Sequence, residues 1–244
     1  MIRAIIRREI LSSYASASGW IALAAAQLLL AWLLFWQLEV YLKILPGLIA
    51  NHSPMGIIDL VITPTLSSAA LVLLILIPLQ GMGSFADELR SGRITLLLSA
   101  PVSAWQLVVG KWLGLLLGAL PLLLMPLLMA WTLELGSTVD AGRLAASFLG
   151  LLLFAGMTAA ISIWLSSISE QPLTAAAMSW GLLFLLWLLD ANSGGTMAIL
   201  SLKAHLTPFL QGVVGTQHIS YFVAITLVAL GFASHRLWRL GGGE

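Results

Sequence analysis

The chain of 244 residues contains no cysteine, which excludes a disulfide framework, a thiolate metal site and a cysteine nucleophile together. Charge is almost as scarce. Asp, Glu, Lys and Arg make up 9% of the residues and the formal net charge is +1, whereas a globular domain carries roughly a quarter charged residues. Scattered arginines do not build the clustered basic face that nucleic acid requires, so no nucleic-acid partner is expected. The four histidines form no H-E-x-x-H pair and no G-x-S-x-G elbow occurs, which leaves no recognisable hydrolytic or metal motif. Gly110-Lys111 has the look of a P-loop ending, but Trp105 stands where the first glycine is needed and Trp112 follows the lysine. The chain therefore has no ATP motif, no catalytic residue is assigned, and neither metal nor cofactor is expected on it.

What the sequence does have is apolar surface, at 60% of its residues. Six uncharged runs of 19 to 32 residues separate the charged groups, and about 20 residues at 1.5 Å each cross about 30 Å of hydrocarbon. The expected fold is an all-α integral membrane protein, a single transmembrane domain over 1–244. Six transmembrane helices are expected at 19–38, 65–83, 112–133, 144–166, 172–189 and 219–238. Ahead of them, Ile2, Ile5, Ile6, Ile10 and Tyr14 recur at helical spacing while Arg3, Arg7 and Arg8 lie mostly off that stripe. Residues 1–18 thus read as an amphipathic helix at the membrane surface; a plain extension of the first span is the alternative.

An even number of spans puts both termini on one side, and the positive-inside rule selects the cytoplasm. Arg3, Arg7, Arg8, Arg90, Arg93, Lys111, Arg236 and Arg239 are then inside, with only Lys43, Arg143 and Lys203 outside. Trp36, Trp131 and Trp187 fall near outer span ends and Trp112, Trp164 and Trp238 near inner ones, as interfacial belts do; Trp32 and Trp180 fit less well. The outer connections 39–64 and 190–218 are long enough for short extracytoplasmic helices. Gly110, Gly114 and Gly118 place three side-chain-free positions on one helix stripe, a seam for close backbone approach. No ionisable residue falls at mid-span, which disfavours a secondary transporter driven by an ion gradient.

The one substantial cytoplasmic loop, residues 84–111, contains FADELRSGRITLLLSAPVSAWQLVVGK. Its charged opening, leucine run, break at Pro101 and second helix capped by Ser103 suggest a helix, a turn and a helix under the membrane. A surface-lying segment that only touches lipid headgroups is an equal reading of the same residues.

Within that loop, Glu88, Ser91-Gly92, Leu96 to Leu98, Pro101-Val102-Ser103 and Gly110-Lys111 resemble the pattern of permease subunits of ABC-2 type ATP-binding-cassette exporters, within them the GldF-like group. REILSSY at Arg8 to Tyr14 is similar to that family's N-terminal amphipathic helix. SSISEQPLTAA at Ser166 to Ala176 is similar to its junction between spans four and five, and His205 to Phe222 to its last outer loop. Arg93 and Thr95 depart from the pattern, where the family often has threonine and glutamate.

The resemblance implies a permease of the bacterial cytoplasmic (inner) membrane with a coupling helix between spans two and three. It would hold no ATP itself, and ATP and Mg would sit on a separate ABC ATPase subunit present in two copies. A second permease copy or a related permease, an extracytoplasmic accessory subunit and membrane lipids complete the implied partners. The coupling residues implied are Glu88, Arg90, Gly92, Leu97, Leu98, Pro101 and Val102. Leu97 and Leu98 would be apolar knobs, and Glu88 and Arg90 groups that pair with the ATPase. A mechanical membrane subunit of a surface or motility complex is the alternative function, ahead of a secondary transporter.

Overall fold

A computed structural model describes residues 2–15, 17–52, 56–94, 103–132, 140–189 and 199–241. Among them the chain is helical with no strand. The elements are α1 (Ile2–Ala15), α2 (Ala17–Ala50), a π-helical turn (Ile58–Ile62), α3 (Thr63–Gly81), α4 (Gly83–Arg90), α5 (Ala104–Gly118), α6 (Leu120–Thr132), α7 (Ala141–Ile168), α8 (Pro172–Leu188), α9 (Leu202–Leu210) and α10 (Thr216–Leu240).

Among the described residues, five helical stretches are long and apolar enough to cross a membrane: Gly19–Ala50, Ile58–Arg90, Ala104–Thr132, Ala141–Ile168 and Thr216–Leu240. The helix Pro172–Leu188 is apolar but shorter, at 17 residues. Of the six spans expected, five coincide with helices of full length, and the one at 172–189 coincides with a helix that falls below it.

Two helix limits differ from the sequence expectation. The helix of the first span does not stop near residue 38, because α2 runs to Ala50 with Pro46 inside its closing turns. A proline there forfeits only one backbone bond near a helix end. The third span starts at Ala104 and not at 112, and its interior is broken at Ala119, just ahead of Pro121. The early start was hidden by Lys111, which reads as an interface residue in a hydropathy window. The 190–218 connection does hold a short helix, α9, whereas the described residues of the 39–64 connection hold the end of α2, the π-helical turn and the start of α3.

Helix α7 is the centre of the bundle. Small residues along it, among them Ala155, Gly156, Ala159, Ala160, Ser162 and Ser166, are buried, and small side chains let neighbouring backbones approach in lipid. Indole Nε1 of Trp112 donates to the Gly156 carbonyl at 2.8 Å, so Trp112 is tied to the bundle instead of simply marking an interface. Trp180 likewise donates to the Ile75 carbonyl at 2.9 Å, which ties α8 to α3.

At the end of the bundle where α7 begins, Arg143 joins three elements. It donates to Asp59 Oδ1 at 2.8 Å, Thr63 Oγ1 at 2.9 Å and the Leu210 carbonyl at 3.1 Å. Helix α9 lies on α7 through Leu202, Leu206 and Phe209, all buried. A Cβ on Gly150 would come within 2.4 Å of Phe209 Cβ, so only glycine permits this seat.

Candidate functional site

The opposite end of the bundle gathers the charged residues of the 84–111 segment. Helix α5 is started by a capping box: Ser103 Oγ accepts from the Gln106 N–H at 3.2 Å while the Gln106 side chain accepts from the Ser103 N–H. Two turns further on, Lys111 is carried into the protein and is only 3% exposed. A buried ammonium is tolerable only with its donors engaged. Lys111 Nζ pairs with Glu88 Oε1 at 2.8 Å and Glu9 Oε1 at 3.5 Å, donates to the Ser84 carbonyl, and lies 4.4 Å from the centre of the Phe85 ring. The first carboxylate comes from α4 and the second from α1, so one lysine binds three helices.

Helix α4 is held from a second direction. Ser166 Oγ accepts from the Phe85 and Ala86 N–H groups, each at 3.0 Å, and donates to the Met82 carbonyl at 2.8 Å. That one hydroxyl serves the backbone at the break between α3 and α4, where α4 lacks a side-chain cap of its own. At its other end α4 stops at Gly92, whose φ of +69° is the left-handed conformation that glycine adopts without strain.

The glycine stripe forms the seam with α1. A Cβ on Gly110 would touch Ile5 at 3.1 Å, and one on Gly114 would stand 2.5 Å from Glu9 Cβ. The Gly118 carbonyl accepts from the Tyr14 hydroxyl at 2.6 Å. Burial pushes that hydroxyl above the usual tyrosine range. The apolar stripe of α1 thus faces α5, with Ile5 and Tyr14 packed on the core.

Of the expected coupling residues, Glu88 is 5% exposed and turned inward to Lys111. Its carboxylate is used inside the protein, because leaving Lys111 unpaired there would cost more than an exposed pair returns. Arg90 faces outward and lines a cavity of about 410 Å³ with Glu170 and Gln171 of the connection between α7 and α8 and with Pro172 and Leu173 at the start of α8. Leu97, Leu98, Pro101 and Val102 lie outside the described residues.

Three participants were not singled out as site residues: Glu9, Lys111 and Ser166. Lys111 within a G-K pair flanked by apolar residues was the available signal, since a lone lysine inside such a run needs a partner. Lys111 is a buried ionisable group, though away from the mid-span positions at which none is expected. Glu88 and Lys111 both fall inside candidate spans, although near the span ends.

Residues 5–234 match the family described as ABC-2 family transporter protein. The chain belongs to that family. No curated protein matches it. Membership together with the apolar helices makes the chain a multi-pass membrane protein and the permease component of an ABC-type transporter. In this ABC-2 protein the triad of Glu9, Lys111 and Glu88 binds the N-terminal helix to the facing ends of the second and third candidate spans.

Proposed function

We propose that this ABC-2 protein is the transmembrane subunit of an exporter of the GldF-like group, driven by a separate ABC ATPase that docks on residues 84–111. In this reading the short helix α8 completes six spans. Both termini are cytoplasmic, in a bacterial inner membrane. Two ATPase subunits carrying ATP and Mg sit beneath two permease domains, the second being another copy or a related chain. Arg90, Leu97, Leu98, Pro101 and Val102 form the contact, while Gly92 and Glu88 shape and anchor it.

The observation that carries the proposal is the double fixing of α4, to Lys111 through Glu88 and to α7 through Ser166. A segment that merely rested on headgroups would have no use for a buried ionic anchor. A segment that transmits force needs rigid attachment to the spans, since an ATP-bound partner shifts the permease only through contacts that differ between its two states. Displacement of α4 would reach α7 through Ser166 and α1 and α5 through Lys111.

The test is co-purification with the ATPase encoded beside this chain. The double variant Arg90→Glu, Leu97→Asp should insert in the membrane at the wild-type level and lose the ATPase, with at least tenfold less recovered. Retention of the ATPase by this variant would remove the assigned contact.

A further inference from the structure

His205 of α9 and His218 at the start of α10 bring their Nδ1 atoms to 2.9 Å from each other. His205 Nε2 is 2.9 Å from the Ile199 carbonyl. A carbonyl only accepts, so Nε2 carries the proton of His205 and its Nδ1 presents a lone pair toward His218. His218 Nε2 is 3.3 Å from the Gln217 side-chain amide. That amide offers either a donor or an acceptor, so it suits both neutral tautomers of His218.

We propose that His205 and His218 form a two-imidazole site for a divalent transition metal of the copper(II) class. Metal-binding histidines characteristically hand their second nitrogen to a carbonyl, as His205 does. The two Nδ1 atoms, which share a hydrogen bond at 2.9 Å, are near enough for one ion to reach both, and nitrogen ligands bind Cu(II) more strongly than the other divalent first-row metals. The site is held in place before any metal enters. The His205 ring stacks on Tyr221 at 4.0 Å, nearly parallel, and the Tyr221 hydroxyl donates to the Leu200 carbonyl at 2.7 Å.

A cavity of about 610 Å³ opens beside both rings. Among the described residues no third His, Asp or Glu stands with the pair, so water or an incoming ligand completes the sphere. Binding moves the His218 proton from Nδ1 to Nε2, where the turned Gln217 amide accepts it, and no net proton is released. The bound metal would clamp α9 to the start of α10.

The experiment is titration of the purified full chain with Cu²⁺, using an affinity tag free of histidine. Electron spin echo modulation then counts the imidazoles on the metal. One Cu²⁺ per chain with two imidazoles is the expected result. His205→Ala and His218→Ala should each weaken binding at least tenfold, Gln217→Leu should weaken it about tenfold, and His52→Ala and His235→Ala should leave it unchanged. No uptake by the wild-type chain, a spectrum with one imidazole or none, or wild-type affinity in both histidine variants would overturn the site. The wild-type spectrum decides the matter even if a variant fails to fold.

Discussion

At the scale of single residues, Lys111 and Ser166 matter because each binds several groups at once in an apolar interior. Replacing Lys111 with Met takes away the ammonium that the Glu88 and Glu9 carboxylates share, and removal of one partner from a buried ionic cluster costs roughly 3–5 kcal/mol. The expected outcome is a clearly lowered unfolding temperature in detergent, with much of the loss recovered when Glu88→Gln and Glu9→Gln are added. Ser166→Ala strands the Phe85 and Ala86 N–H groups and should cost roughly 1–3 kcal/mol in the same measurement. If Lys111→Met unfolds at the wild-type temperature, the cluster is not an anchor. The sequence exposes these residues only in part. Lys111 is visible as a charge among apolar neighbours, but its partners come from α1 and α4, and nothing local to the G-K pair names them.

At the scale of elements, the seam between α1 and α5 depends on glycine at defined positions. Gly114→Ala drives a methyl group to within 2.5 Å of Glu9 Cβ, and overpacking of this kind costs roughly 1–3 kcal/mol. Gly181 of α8 has nothing within 4 Å of the same added atom, so Gly181→Ala should be neutral. Thermal unfolding of the two variants side by side checks both expectations, and an equal response would refute the seam. The stripe at Gly110, Gly114 and Gly118 was legible from its spacing, as was the cap at Ser103. The partner of the stripe was not, because periodicity marks a face without saying what covers it. How far α2 runs was not legible for a similar reason: the charges and the proline after residue 38 mark no helix end, since Glu39 and Lys43 pair on one helix face at 2.6 Å and the helix continues to Ala50.

At the scale of the whole molecule, composition alone indicated the membrane, and the family match over residues 5–234 agrees with the pattern read from the 84–111 segment. The arrangement that links this segment to the bundle needed coordinates, since α1, α4, α5 and α7 meet there from distant parts of the chain. If α4 transmits force from an ATPase, Lys111→Met should retain the ATPase yet uncouple it, leaving hydrolysis no longer responsive to the permease; unchanged stimulation would separate the anchor from coupling. The most direct measurement is of ATP hydrolysis by the neighbouring ATPase, co-expressed with this chain and assayed in lipid nanodiscs against each subunit alone. Hydrolysis that requires both subunits and is lost in Arg90→Glu, Leu97→Asp is the predicted result. A chain that neither retains nor stimulates any neighbouring ATPase would contradict it.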